Sequence, residues 1–184
     1  LGKSLLSHAL DTLSFSDNTL VVVGHEADLV IDSLPPLIKN ILQKDQLGTG
    51  HAVSTVINSE VFKESKSDFT IVVPGDVPGI NDGDIELLIN KVKRTSSPVG
   101  FLTALVEDPF GYGRVVKINE EIKIVEEKDC SEDEKAINEI NSGIYCFKTE
   151  FLIENIDSLN TENAQGEFYL TDLIGIANNQ KQDI

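Results

Sequence analysis

The sequence is short of positive charge and has no long apolar run. Lysine and arginine total 15 against 31 aspartate and glutamate residues, which gives a net charge of −16. No basic stripe is available to neutralise the phosphates of a nucleic acid or an anionic membrane surface, so neither is expected as a partner. A spanning helix needs about 18 consecutive apolar residues, and no run of the chain approaches that length.

Cysteine and histidine are scarce as well. The two cysteines, Cys130 and Cys146, form no Cys-x-x-Cys pair, and the three histidines lack the spacing of a zinc site. Reduced thiols in a cytoplasmic protein are therefore expected. Cys146 alternates with apolar neighbours and is predicted to lie in the core, whereas Cys130 falls in a polar run, 129–138, predicted to be a mobile loop.

Apolar periodicity predicts an α/β protein. The predicted strands are 20–23, 41–42, 70–73, 99–106, 114–118 and 122–127, and the predicted helices are 4–13, 27–33, 50–62, 85–92, 151–156 and 171–178. Early alternation of strands and helices predicts a mostly parallel twisted sheet flanked by helices. The last two strands are predicted to form a smaller antiparallel hairpin across Asn119 and Glu120. A chain of 184 residues that is 40% hydrophobic can bury one core, which predicts one domain.

A Gly48-Thr49-Gly50 turn follows Gln43 and opens an apolar-periodic run. Glycines let the backbone approach a ligand with no Cβ in the way. Thr49 is placed to cap the following helix, whose unpaired N–H groups would favour an anionic or carbonyl-rich ligand. Because Gly-x-Gly turns before helices are common, this turn taken alone also fits an ordinary helix start.

Asp76 follows a buried β-branched strand. Val72 and Val73 precede Pro74 and Gly75, so the aspartate lies just past the carboxyl end of the strand, where open α/β sheets bind ligands. Its carboxylate is a hard oxygen donor suited to Mg²⁺. An aspartate that only caps the next turn is the alternative.

Four motifs, in order, resemble one enzyme family. They are Gln-Leu-Gly-Thr-Gly-His-Ala (46–52), Gly-Tyr-Gly-Arg (111–114), Val-Glu-x-Lys-Asp (125–129) and Gln-Gly-Glu-Phe-Tyr-Leu-Thr-Asp (165–172). Together they make the chain, from residue 2 to about 178, resemble the uridyltransferase domain of bacterial bifunctional N-acetylglucosamine-1-phosphate uridyltransferase/glucosamine-1-phosphate acetyltransferase. The resemblance implies a Rossmann-like nucleotidyltransferase fold. It also implies that UTP and N-acetylglucosamine 1-phosphate are converted to pyrophosphate and UDP-N-acetylglucosamine, for peptidoglycan and lipopolysaccharide synthesis.

The resemblance implies how the nucleotide is held. Positions that read the uracil ring through amide and backbone groups are here Gln43, Gly48 and Thr49. Asp76 matches the catalytic Mg²⁺ ligand, with Pro74 and Gly75 beside it in the substrate site. Pro74 departs from the larger side chain that is common at its position.

The sugar site follows in the same way. Gly113, Glu126 and Asn141 match the pocket around the N-acetylglucosamine ring, and Tyr169 and Thr171 match residues that line its sugar side. Both substrates are anionic although the chain is acidic. The balancing positive charge is therefore expected locally, from Mg²⁺, a helix terminus and the side chains of Arg114 and Lys128.

The resemblance further implies segments that this sequence does not contain. They are a Gly-rich phosphate loop, an asparagine that supplies a second Mg²⁺ ligand, and an acetyltransferase domain. Residues 1–184 are accordingly expected to be a nucleotidyltransferase domain incomplete at both ends, inactive by itself, with any oligomer formed through the C-terminal domain. Two alternatives stay open: a nucleotidyltransferase for another sugar phosphate or base, and a non-catalytic homologue that binds a nucleotide sugar.

Overall fold

The computed structural model describes residues 2–16, 18–65, 67–77, 79–119, 121–180 and 184. The helices are α1 (Leu5–Thr12), α2 (Ala27–Ser33), α3 (Thr49–Ile57), α4 (Glu60–Lys63), α5 (Asp82–Thr95), α6 (Glu132–Lys135), α7 (Thr149–Asn155) and α8 (Asp172–Asn179). The strands are β1 (Leu20–Val23), β2 (Lys39–Leu42), β3 (Phe69–Val72), β4 (Val99–Leu105), β5 (Arg114–Ile118), β6 (Glu121–Val125) and β7 (Glu139–Lys148).

The strands confirm the α/β class, but their directions differ from the expectation of a mostly parallel sheet. Among the strands in the described residues, only β1 and β2 pair in parallel. In the five-stranded sheet, β7 pairs antiparallel with β3, β4 and β5, and β5 pairs antiparallel with β6. Since β3 and β4 both oppose β7, they do run in the same direction, as a crossover through α5 requires. Strand β7, which comes last in the chain, lies between β3 and β4, so each of them pairs antiparallel with β7 instead of parallel with the other.

Strand β7 also divides the core into two layers. Successive strand residues point to opposite faces, and here Ile144 and Cys146 pack against α5 while Tyr145 and Phe147 join the larger cluster. That larger cluster includes buried residues of α3, α7 and α8. The prediction that Cys146 belongs to the core is confirmed, because this residue is fully buried. Its burial raises the pKa of the thiol to about 11.

The polar run 129–138 holds a short helix where a loop was predicted. Ser131 and Glu134 form a reciprocal capping box at the start of α6. Cys130 is buried, contrary to its polar sequence context, and its Sγ donates to the Val125 carbonyl at 3.4 Å. The predicted helix 50–62 is also interrupted, because Ser59 caps the new helix α4. The hairpin of β5 and β6 is confirmed, although Glu120 in its turn lies outside the described residues.

No helix in the described part of the chain has both the length and the apolar character required to cross a bilayer.

Candidate functional site

The start of α3 is pinned against the segment around Phe168. Gly48 precedes the helix with φ of 105°, a conformation that favours glycine, and a Cβ there would lie 2.7 Å from the Phe168 carbonyl oxygen. The Gly50 N–H donates to that same oxygen at 2.8 Å, and the Phe168 N–H donates to Leu47 O at 2.8 Å. These glycines therefore serve close packing between two motifs that are far apart in the sequence.

Thr49 does not cap α3, contrary to the prediction. Gly48 occupies the cap position, and no side chain caps the helix. Instead, Thr49 Oγ1 accepts a hydrogen bond from the Leu170 N–H at 3.1 Å. The threonine thus forms a second link between the helix start and the segment at 165–171.

Gln43 lies directly after β2 and is 8% exposed. Its Nε2 donates to Gly48 O at 3.2 Å and lies 2.9 Å from His51 Nδ1. Because the carbonyl of Gly48 can only accept, the amide is oriented with Nε2 toward it, so His51 Nδ1 is the acceptor of its contact with Nε2. Neither contact uses Oε1 of Gln43.

Glu126 lies where β6 ends, beside Thr171. Thr171 Oγ1 donates to Glu126 Oε1 at 3.1 Å. Gly113 permits this packing, because a Cβ at that position would come within 3.3 Å of Glu126 Oε2. Burial raises the pKa of Glu126, the hydrogen bond from Thr171 partly offsets it, and nearby carboxylates, Asp129 foremost, raise it further. The site therefore holds a carboxylate that burial makes costly to ionise.

Asn141 adjoins Glu126 through Gly113. The Asn141 N–H donates to Gly113 O at 2.9 Å. In its side chain, Oδ1 accepts from the Gly143 N–H at 3.1 Å and Nδ2 donates to the Tyr145 hydroxyl at 2.6 Å. The backbone of Asn141 is thus hydrogen-bonded to Gly113, the residue that packs against Glu126.

Tyr169 turns its hydroxyl toward a supporting network. It donates to Asp129 Oδ2 at 3.1 Å and accepts from Gln165 Nε2 at 2.9 Å. Burial raises the pKa of Tyr169 to about 12, so the hydroxyl stays protonated. Together with Thr171, it fixes the segment 165–171 against the strand end that carries Glu126.

Asp76 lies exposed in the turn that follows β3. Pro74 in the same turn faces Gly143, where a Cβ would approach Pro74 Cγ to 2.7 Å. This contact places the turn that carries Asp76 beside the segment of β7 that carries Asn141. The uncommon proline is accommodated because its partner has no side chain.

Asp76 is a single carboxylate rather than part of a ligand cluster. Within the described ranges, no three His, Cys, Asp or Glu side chains converge in a way that could hold a metal ion. A hard, exposed carboxylate of this kind suits Mg²⁺, which is typically bound by one or two carboxylates while substrate phosphates and water complete its shell. The donor set is therefore compatible with a metal shared between protein and nucleotide.

Arg114 does not supply free positive charge to the site, contrary to the prediction. Its side chain is 2% exposed and donates through Nη2 to Glu127 Oε2 at 2.7 Å. Nη1 donates to the Tyr112 carbonyl. Its Nε is buried without a partner in the part of the chain that the structure describes. Sequence reasoning missed Glu127 and Tyr145, although the former adjoins a motif residue and the latter follows Asn141 at strand spacing.

Polar side chains at strand ends, a glycine-rich helix start and one exposed carboxylate make up the candidate site of this α/β fold. The chain belongs to the nucleotidyl transferase family, which it matches over residues 4–183. This confirms the family resemblance of its motifs.

Relatives and solved structures agree with that assignment. The bifunctional protein GlmU of Fervidobacterium nodosum is 43% identical over 177 residues, which cover 96% of this chain and 38% of that protein. The bifunctional protein GlmU of Clostridium beijerinckii is 42% identical over 187 residues, covering 100% of this chain and 40% of that protein. The chain thus spans about two-fifths of the length of these relatives.

A solved Bacillus anthracis protein, assigned as a glucose-1-phosphate thymidylyltransferase and bound to sucrose, has the same fold. It gives a TM-score of 0.72 at 20% identity, over 96% of this chain and 70% of that one.

Proposed function

We propose that this domain transfers a uridylyl group from UTP to N-acetylglucosamine 1-phosphate, which yields UDP-N-acetylglucosamine and pyrophosphate. The observation that carries the proposal is a cluster of two hydrogen-bonded pairs, Asn141 with Gly113 and Thr171 with Glu126, in which Gly113 packs closely against Glu126. It combines carboxylate and amide groups, which suit sugar hydroxyls and an acetamido group. Similarity to two GlmU proteins at 42–43% identity supports the same substrates.

The uracil ring is assigned to the end of β2 and the start of α3. Gln43 offers Oε1, which neither of its internal hydrogen bonds uses, and Gly48 and Thr49 offer backbone close to it. A wrong base would leave these buried polar groups unpaired, and a site built on hydrogen bonds rejects such a base strongly. Pro74 and Gly75 would flank the phosphates beside Asp76.

The transfer requires that the two substrates are aligned and that their negative charge is neutralised. A phosphate oxygen of the sugar phosphate attacks the α-phosphorus of UTP, the bond between that phosphorus and the bridging oxygen breaks, and pyrophosphate leaves with the bond electrons. Both reactants are already ionised, so no general base is needed. Asp76 would hold Mg²⁺, which supplies positive charge to the phosphates when bound. Glu126, Asn141 and the backbone of Gly113 would hold the sugar ring.

We place this reaction in the cytoplasm, since Cys130 and Cys146 are buried free thiols, as a reducing compartment favours.

The test is a substrate panel on the native full-length protein. Pyrophosphate release is measured for UTP, CTP, ATP, GTP and dTTP, each with N-acetylglucosamine 1-phosphate, glucosamine 1-phosphate or glucose 1-phosphate. We expect UTP with N-acetylglucosamine 1-phosphate to give the highest kcat/KM. A higher value for another pair would replace the proposed substrates, and binding of UDP-N-acetylglucosamine without turnover of any pair would support the non-catalytic alternative.

A further inference from the structure

An irregularity in β7 brings Asn141 and Tyr145 together. Phe101 pairs with Tyr145 while Thr103 pairs with Asn141, so a step of two residues on β4 faces a step of four on β7. Gly143 lies in the middle of this step with φ of 79°. A regular strand would keep residues four apart separated by about 13 Å along its axis. The bulge shortens that separation, and bulges next to active sites re-aim side chains.

The contacts of the Asn141 amide fix its orientation. Oδ1 must face the Gly143 N–H, which lies at 3.1 Å, because a reversed amide would set one N–H against another. Nδ2 therefore donates to the Tyr145 hydroxyl, at 2.6 Å. The second N–H of Nδ2 is used by neither contact. An amide held in this way offers a hydrogen-bond donor to a ligand.

Tyr145 is a rigid partner for that amide. It is 3% exposed, and its ring centroid lies 5.6 Å from that of Phe147 and 6.2 Å from that of Phe101. These two rings hold the phenol in one place, so the hydroxyl is a fixed acceptor. Burial raises the pKa of Tyr145, and nearby Glu126 raises it further, so the group remains a neutral hydroxyl.

We propose that Tyr145 is a positioning residue for sugar recognition, which fixes the Asn141 amide so that its free N–H donates to an acceptor oxygen of the bound sugar. The inference rests on the proposed function in that Asn141 is taken to contact the sugar. It adds that Asn141 acts as a donor, and that the buried hydroxyl of Tyr145 controls this contact. The hydroxyl of Tyr145 thus acts through Asn141 rather than on the substrate.

The test is a double-mutant cycle on the native full-length protein with the sugar 1-phosphate that the wild-type protein uses best. Tyr145→Phe removes only the hydroxyl and should raise the KM for that sugar phosphate by about 5–10-fold, as expected for one lost hydrogen bond. The KM for the nucleotide should stay within about twofold. In the Asn141→Ala background, Tyr145→Phe should add almost nothing, since residues that act through one another are not additive. Tyr112→Phe is the matched control, because that ring is half-exposed.

Multiplicative effects of the two substitutions, or an equal rise in the KM for the nucleotide, would overturn the positioning role. A wild-type preference for a different sugar would refute the proposed function and still leave the cycle informative. A second measurement needs no substrate. In NMR spectra, the side-chain ¹⁵N–¹H resonances of Asn141 should shift in Tyr145→Phe and stay in place in Tyr112→Phe. Unshifted resonances in Tyr145→Phe would overturn the inference even in a protein without activity.

Discussion

Arg114 and Glu127 form an ion pair in which the arginine side chain is 2% exposed and the glutamate side chain 22%. The same carboxylate oxygen of Glu127 accepts from the Gly111 N–H at 3.1 Å. One carboxylate thus ties the Gly-Tyr-Gly-Arg segment to the end of β6, one residue after Glu126. The neighbouring glutamates consequently have different partners, since Glu127 fixes the loop and Glu126 accepts a hydrogen bond from Thr171.

Removing the arginine of this pair should destabilise the fold. We expect Arg114→Met to lower the free energy of unfolding by more than the loss of a surface pair, because it removes the hydrogen bonds of a buried guanidinium to Glu127 and to the Tyr112 carbonyl. The matched control is Lys117→Met, which breaks an ion pair with Glu139 whose lysine is 55% exposed. Exposed pairs contribute less than about 1 kcal/mol. Urea unfolding measures both, and equal losses would show that the Arg114 pair is no more important than a surface pair.

Ionised Glu126 should lower the stability of the fold, although we expect it to strengthen binding of the sugar phosphate. Its raised folded-state pKa means that the fold is most favoured with this carboxyl protonated. The associated stability is therefore present below the ordinary glutamate pKa and is lost as the pH rises through the raised value. Glu126→Gln should melt at a higher temperature than wild type at pH 7, with the difference shrinking toward pH 4. A lower melting temperature at pH 7 would contradict this prediction.

The same substitution, Glu126→Gln, should weaken binding of the sugar phosphate. The carboxylate is a stronger acceptor for sugar hydroxyls than an amide, so Glu126→Gln should raise the KM for the sugar phosphate at pH 7. In the wild type, affinity for the sugar phosphate should fall as the pH drops through the raised pKa of Glu126. Titration of KM against pH in both proteins measures the effect, and identical profiles would remove Glu126 from sugar binding.

Asn141→Ala should weaken the binding of one substrate much more than that of the other. Loss of the amide leaves a polar partner unmatched, so binding of N-acetylglucosamine 1-phosphate should weaken by about 1–3 kcal/mol. Affinity for UTP should change much less, because Gln43 and the start of α3 are assigned to the base. Calorimetric titration of the native full-length protein with each substrate gives both values. Equal losses would assign Asn141 to the fold or to the nucleotide site.

Asp76→Ala should lower kcat by about a hundredfold or more, as expected when a charge-stabilising group is lost. Added Mg²⁺ should not restore the rate, because the substitution removes the carboxylate rather than the ion. The melting temperature should stay close to that of the wild type, since the side chain is exposed in a turn. Turnover near the wild-type value would exclude Asp76 from the mechanism.

Gly48→Ala should destabilise the protein, because φ of 105° is strained for alanine and the new Cβ would meet the Phe168 carbonyl oxygen. Strain of this kind costs about 1–3 kcal/mol. Gly175→Ala is the matched control, since Gly175 lies within α8 and a Cβ there meets nothing within 4 Å. It should stabilise by about 0.5–1 kcal/mol. Urea unfolding of both variants is the measurement, and a neutral Gly48→Ala would refute the packing argument.

Much of the fold follows from local pattern. Residues 20–23 and 27–33 were predicted with the bounds that the structure shows, because a β-branched run and a helix stopped by prolines are unambiguous. The extent of β7 was not predictable in the same way. Asn141, Ser142 and Gly143 interrupt its apolar alternation, and Gly143 adopts a positive φ.

The candidate site was predictable as a set of motifs but not as a set of contacts. Sequence shows that Arg114 carries a charge, but its burial and its partner depend on a hairpin turn that closes only in the folded chain. Thr49 illustrates the same point. Its helix-start position suggested a cap, whereas its partner is Leu170, which lies far along the chain.

Glu126 has further carboxylates near it. Asp129, Glu167 and Asp172 are all close enough to raise the pKa of Glu126, so the surroundings of this residue are anionic. A sugar phosphate that entered the wrong way round would set its dianion among these charges, where Coulomb repulsion opposes it. Under the proposed assignment, the uncharged ring would lie near these carboxylates and the phosphate would lie away from them. Under the same assignment, the acidity of the chain would therefore favour one orientation of an anionic substrate before its specific hydrogen bonds form.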